Sequence, residues 1–211
     1  MRLTVVTAGL SVPSSSRLLA DRLAAAVERR AGDSAGTVET TVVELRPLAV
    51  DIAHHLVTGF PPPALAAALE AVAAADGLVA VTPVFAASYS GLFKSFVDLL
   101  DREALVGTPV LLGATGGTAR HSLALEYAMR PLFAHLRAAV VPTAVFAAPE
   151  DWGSAGEGRR AALAGRVERA AGELVALMPV AGRAPSTGGG GDAEEVVPFE
   201  EQLAALRGDL G

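Results

Sequence analysis

The chain has 211 residues, about half of them apolar and mostly Ala, Val and Leu, which suits one domain with a sizeable core followed by a tail. A formal net charge of −6 and the lack of any basic run argue against a nucleic acid or other polyanion as partner. No window approaches the ~20 unbroken apolar residues of a membrane span, and the absence of cysteine excludes disulfides, thiolate metal sites and thiol catalysis, so a cytoplasmic protein is expected.

In chain order, strand-like apolar runs are expected at 3–8, 37–44, 77–82, 109–114 and 139–146. The first, Leu3-Thr-Val-Val-Thr-Ala8, is too short for a signal sequence and reads as a strand. Helical patterns lie between the runs at 15–31, 63–75, 91–101 and 119–137, with a last one at 157–178. Near-continuously apolar strands that alternate with amphipathic helices imply a parallel sheet covered on both faces. Five strands in this rhythm predict an α/β, flavodoxin-like, doubly wound sheet of order 2-1-3-4-5.

The segment 46–60, with Pro47 and the pair His54-His55, is expected to be irregular. Nothing nearby supplies a third ligand at helical spacing, so no metal site is expected and the histidines read as exposed loop residues. After Met178 the composition changes to Pro179, Pro185 and Gly188 to Gly191. This divides the chain into a domain at 1–178 and a linker with a C-terminal arm at 179–211, whose apolar face is Val196, Val197, Phe199, Leu203 and Leu206.

Three loops follow strands and therefore meet at the carboxyl edge of such a sheet, where open α/β folds bind ligands. The first is Gly9-Leu-Ser-Val-Pro-Ser-Ser-Ser-Arg17. A phosphate there meets free N–H groups at a helix N-terminus, the hydroxyls of Ser11, Ser14, Ser15 and Ser16, and the charge of Arg17. A serine cap needs only one of these hydroxyls, so the cluster favours an anion. The second loop opens at Pro83, which is expected to end the third strand. It continues through Val84, Phe85, Ala86 and Ala87 to Ser90 and Gly91, a nearly bare backbone able to hydrogen-bond the edge of a flat polar ring. The third is Thr115-Gly116-Gly117-Thr118, with two glycines for close approach and two hydroxyls. Neither a G-x-x-x-x-G-K-[ST] loop nor a G-x-G-x-x-G fingerprint is present, which disfavours triphosphates and dinucleotide pyrophosphates. One monophosphate loop and two backbone loops describe flavin mononucleotide.

The segments Gly9 to Leu19, Thr82-Pro-Val-Phe-Ala-Ala-Ser-Tyr-Ser-Gly-Leu-Phe-Lys94 and Ala114-Thr-Gly-Gly-Thr-Ala-Arg-His-Ser-Leu-Ala-Leu-Glu-Tyr-Ala-Met-Arg-Pro-Leu132 resemble the NAD(P)H-dependent FMN reductases. The nearest group is the reductase partner of alkanesulfonate monooxygenase, with actinobacterial relatives that serve luciferase-like monooxygenases. The resemblance covers about residues 1–150. It implies FMN and NAD(P)H as cofactors, a homodimer or homotetramer, and a reduced-flavin-dependent monooxygenase as partner. It places the phosphate on Ser11 and Ser14 to Arg17, and the ring along Pro83 to Ala87 and Thr115 to Thr118. The first loop departs from the family's Gly-Ser-x-Arg opening, with Gly9-Leu-Ser-Val instead, and Arg17 stands in for the missing arginine.

Pro131 removes an N–H that would bond the carbonyl of Tyr127, so the helix there is expected to bend or bulge. The resemblance puts this tyrosine in a widened turn at a subunit contact near the flavin, with a possible part in flavin exchange. A core tyrosine beside a tolerated proline is the alternative. His121 also matches a family histidine, and a plain surface histidine is the competing reading.

The expected activity is NAD(P)H:FMN oxidoreduction. Hydride passes directly between stacked rings, so no protein acid or base is obligatory. The small Ala86 and Ala87 leave one flavin face open to the nicotinamide. The competing functions are a quinone or azo reductase and a flavodoxin-like electron carrier. The carrier fits less well, because Trp152, Tyr89 and Tyr127 are poorly placed to clamp a ring.

Overall fold

Alternate residues of the central strands are buried on opposite faces, and this builds two cores on one sheet. The computed structural model describes residues 1–33, 36–152 and 157–178, all within one compact unit, Met1–Ala181. The linker and arm expected at 179–211 lie outside the described residues.

The strands β1 (Arg2–Thr7), β2 (Glu39–Glu44), β3 (Gly77–Phe85) and β5 (Pro109–Thr115) pair in parallel in the order β2-β1-β3-β5. Two short strands, β6 (Ala139–Val140) and β7 (Val145–Ala147), both pair with β5 and fill the last position. The predicted flavodoxin-like order is therefore the one observed. Leu3 and Val5 of β1, with Val79 and Val81 of β3, face α1 (Ser15–Asp33) and α7 (Glu157–Leu177), where Leu19, Leu23, Leu163 and Leu174 close the first core. Val6, Leu78, Ala80 and Leu112 face the other way. There they meet Leu65 and Val72 of α3 (Pro63–Ala73), Phe93 and Phe96 of α4 (Gly91–Val97), and Phe133 of α5 (Arg130–His135). Each of the three phenylalanines is 1% exposed, and burying such a side chain stabilises the fold by about 1.5–3 kcal/mol.

The structure departs from the sequence reading at several places. Residues 49–58, expected to be irregular, form helix α2 (Ala49–Thr58), so His54 and His55 are helical and not in a loop. The helical period is legible in Ala49, Ile52, Ala53, Leu56 and Val57, although Ile52 alone of α2 is buried and Val50, Leu56 and Val57 are exposed. The stop signal was present, because Gly59 takes φ 77° and its N–H bonds the carbonyl of His55 at 2.8 Å.

Pro83 does not end its strand. β3 runs on to Phe85 and turns back into β4 (Ser88–Tyr89) as an antiparallel hairpin. Val81 accepts from the Ala8 N–H at 3.0 Å, so residue 83, two further on, faces the same side, beyond the end of β1 at Thr7. The missing N–H of Pro83 thus leaves no ladder bond unmade. The two turn residues, Ala86 and Ala87, have φ 47° and 65°, the pattern of a two-residue primed turn. Left-handed backbone costs a non-glycine residue roughly 1–2 kcal/mol.

The fifth strand is split because β5 advances from Val110 to Gly113 while its neighbour advances from Val140 to Val145. Pro142 has no N–H, and Thr143 turns both its N–H and its hydroxyl to the Glu173 carboxylate on α7, each at 2.7 Å. The expected helix 119–137 is broken into a 3₁₀ turn at Ala119–His121, a π-helical segment at Leu125–Met129, and α5. The bulge expected from Pro131 is present, since the Arg130 N–H reaches back to Leu125.

Candidate functional site

β1, β3, β5 and β7 all end at one edge of the sheet, and their following loops enclose a cleft of about 370 Å³. That volume lies in the ordinary range for small-molecule sites, roughly 300–1,000 Å³. The first loop contributes Gly9, Leu10, Ser11, Ser14, Ser15 and Ser16; the end of β3, which enters the expected second loop, contributes Pro83, Val84 and Phe85. The third contributes Thr115, Gly116 and Gly117, and Pro149 closes the far side. Among the described residues, none in the wall has an ionisable side chain.

The first loop is organised by Ser14, which caps α1. Its Oγ accepts from the Arg17 N–H at 3.2 Å. A Cβ on Gly9 would sit 1.9 Å from that oxygen, so only glycine admits the cap. The N–H groups of Ser15 and Ser16 have no partner among the described residues, and Ser15 is exposed beside them. Free N–H groups at the start of a 19-residue helix form an anion cradle with the helix dipole behind it.

Ser16 is different. It is 1% exposed, and its Oγ lies 2.7 Å from Oγ1 of Thr115, which is 3% exposed. This bond joins the first loop to the third and uses one of the two hydroxyl hydrogens, while the Ser16 N–H stays open to a ligand. Arg17 does not line the cleft. Its Nε donates to Asp21 at 2.7 Å and its Nη1 to Glu44, which holds the guanidinium pKa above its ordinary value, chiefly through the Asp21 bond.

The second loop is held by Thr82, which is fully buried. Its Oγ1 accepts from the Ser90 N–H at 3.0 Å, and the Ser90 Oγ in turn accepts from the Phe93 N–H at 3.2 Å. This chain ties the hairpin to the start of α4. Phe85 is 48% exposed at the cleft, whereas Tyr89 packs on Phe93 with ring centroids 6.1 Å apart. Ala86 and Ala87, at the hairpin tip, lie outside the cleft wall, and Ala87 borders a neighbouring concavity.

In the third loop the two glycines do different things. A Cβ on Gly116 would come 2.8 Å from Cζ of Phe146, so its smallness serves core packing. Gly117 has open space around it and leaves the backbone accessible. Thr118 is turned away, its Oγ1 accepting from the Arg120 N–H at 3.0 Å.

Sequence reasoning missed Leu10 and Pro149 in the wall. The second had a readable signal, because it directly follows the fifth strand position at the same edge of the sheet. Tyr127 is 79% exposed on the π-helical segment. That segment is anchored by Arg130, which reaches Glu126 Oε2 at 2.6 Å and the carbonyls of Val141 and Pro142 at 3.1 Å each. The Arg130 bond holds the Glu126 carboxyl below its ordinary pKa.

A family model described as NADPH-dependent FMN reductase matches residues 1–153. The FMN reductase (NADPH) of Pseudomonas aeruginosa is 37% identical over 151 residues, which cover 72% of this chain and 78% of that protein. The NADH-dependent FMN reductase SfnE of Pseudomonas putida is 35% identical over 178 residues, covering 84% and 92%. Among solved structures, an oxidoreductase from Corynebacterium diphtheriae superposes with a TM-score of 0.80 at 46% identity, covering 84% of this chain and 96% of that one. With the fold, three of its loops on one cleft, and a family match over most of the chain, this protein belongs to the NADPH-dependent FMN reductase family.

Proposed function

We propose that this chain catalyses NAD(P)H-dependent reduction of FMN in the three-loop cleft and releases the reduced flavin to a flavin-dependent monooxygenase. The observation that carries the reading is the convergence of a free helix N-terminus with two backbone-lined loops on one uncharged cleft. The N–H groups of Ser15 and Ser16, with the hydroxyls of Ser11 and Ser15, suit a phosphate. Pro83 to Phe85 and the open Gly117 suit the edge of a planar ring. Bound there, FMN supplies the acceptor atom N5 for hydride from the nicotinamide C4, with one proton drawn from solvent.

The chain's own residues bind and position. Among the described residues no side chain in the cleft wall is an acid or base, in keeping with direct transfer between stacked rings. Weak retention of flavin is supported by the poor aromatic complement of the cleft. Among the described residues, Phe85 is the one aromatic in its wall, and Trp152 lies instead under Arg22, 4.7 Å from its guanidinium carbon. The exposure of Tyr127 and Leu123, 79% and 60%, supports a further element of the proposal. The π-helical segment lies at a subunit contact of a homodimer or homotetramer.

Steady-state oxidation of NADPH and NADH by the purified protein, with and without added FMN, tests the reading. Turnover should depend on free flavin. Equal rates with a quinone and no flavin would make the protein a quinone reductase. Tightly co-purifying flavin with no dependence on free FMN would make it an electron carrier.

A further inference from the structure

The uncharged cleft leaves a problem of charge. Both nicotinamide dinucleotides carry a pyrophosphate, and NADPH adds a 2′-phosphate. The protein itself is acidic, at −6, and Arg17 is committed to Asp21 and Glu44. A cation beside the flavin cleft would offset that charge.

A second concavity of about 320 Å³ is lined by Ala87, Arg120 and His121, together with Leu123 and Tyr127 of the proposed subunit contact. Among the described residues the two concavities have no lining residue in common, but two segments of chain lead from one to the other. Phe85 borders the first and Ala87, two residues on, borders the second; Gly117 borders the first and Arg120, three residues on, borders the second. Three extended residues span no more than about 10 Å, so a dinucleotide whose nicotinamide lies over the first cleft reaches the second. The left-handed backbone at Ala86 and Ala87 forms the hairpin tip, from which Ala87 presents only a methyl group to this space.

Arg120 is exposed on this concavity, and its guanidinium has no ion pair or hydrogen bond among the described residues. Its backbone is nevertheless fixed, since its N–H is bonded to Thr118 Oγ1 at 3.0 Å and the following His121 N–H to the Thr118 carbonyl at 3.3 Å. His121 borders the same space and adds ring nitrogens. A guanidinium on a fixed base, with its fork uncommitted, matches the geometry of a phosphate.

We propose that Arg120, with His121 beside it, receives a phosphate of the nicotinamide nucleotide. The inference rests on the three-loop cleft being the flavin site. Two sources share this chemistry, the 2′-phosphate of NADPH and the pyrophosphate common to both coenzymes.

The test is steady-state kinetics of Arg120→Ala and Arg120→Lys, with NADPH and NADH each varied at saturating FMN, and FMN varied at saturating coenzyme. A hydrogen-bonded charged contact sets the expected effect in Arg120→Ala at about a ten- to hundredfold rise in coenzyme KM. The kcat and the KM for FMN should stay at the wild-type values, and Arg120→Lys should recover part of the loss. A rise confined to NADPH assigns the 2′-phosphate, and an equal rise for both coenzymes assigns the pyrophosphate. Unchanged KM for both coenzymes overturns the proposal. So does a parallel rise in the KM for FMN, or a change in assembly size by light scattering, since either makes Arg120 a scaffold residue. Ser15→Ala, measured alongside, separates the two readings. If its KM for FMN does not move, the flavin site itself is wrongly placed, whatever Arg120 does.

Discussion

Removing the hydroxyl of Ser16 should cost more stability than its size suggests, because its bond to Thr115 lies inside the wall of the cleft. The two oxygens are 2.7 Å apart, and the residues are 1% and 3% exposed. Ser16→Ala leaves the Thr115 hydroxyl buried without a partner, and Thr115→Val does the same to Ser16. Each orphaned group costs about 1–3 kcal/mol, whereas loss of the whole bond costs about 0.5–1.5 kcal/mol. The double variant should therefore be less destabilised than the sum of the singles, with a coupling of roughly 1–3 kcal/mol. Urea unfolding of the flavin-free protein reads this directly. With an m-value of about 2 kcal/mol/M, a 2 kcal/mol loss moves the midpoint by about 1 M. Single variants whose effects simply add, or a Ser16→Ala midpoint at the wild-type position, would refute the reasoning and free that hydroxyl for ligand.

Ser15→Ala should weaken FMN binding by about ten- to a hundredfold, while riboflavin binding, measured by the same fluorescence titration, stays within error. Tyr127→Ala should leave the urea midpoint of the single chain nearly unchanged, because the side chain is 79% exposed, but should shift assembly size or FMN release rate. Glu168→Gln should cost no more than about 1 kcal/mol, since the pair it forms with Arg29 and Arg30 is exposed and screened. The bond from Arg29 above all lowers the Glu168 pKa. Its contribution is therefore present above the unfolded carboxylate value, about 4.3, and is lost as pH falls through the folded one. Wild type and variant should converge in thermal melts at low pH.

The class of fold and the edge of the sheet that carries the cleft are legible in the sequence. Runs such as Leu78 to Val81 and Val110 to Leu112 are apolar on both sides because both faces of the strand are covered, and this is a local property of the chain. Strand ends followed by Ser-rich or Gly-rich loops then mark the carboxyl edge without any coordinates. Tertiary structure decided which groups in those loops are free. Ser16 and Thr115 are 99 residues apart in sequence, so nothing local shows that their hydroxyls bond each other. Arg17 has an acid four residues on, at Asp21, but Glu44 reaches it only because β2 lies beside β1. Pro83 is tolerated within a strand because β1 has already ended, and the fifth strand breaks because Glu173 of α7 captures Thr143. Secondary structure follows from periodicity within a short window, whereas the partner of a polar group is set by whatever distant segment folding brings beside it.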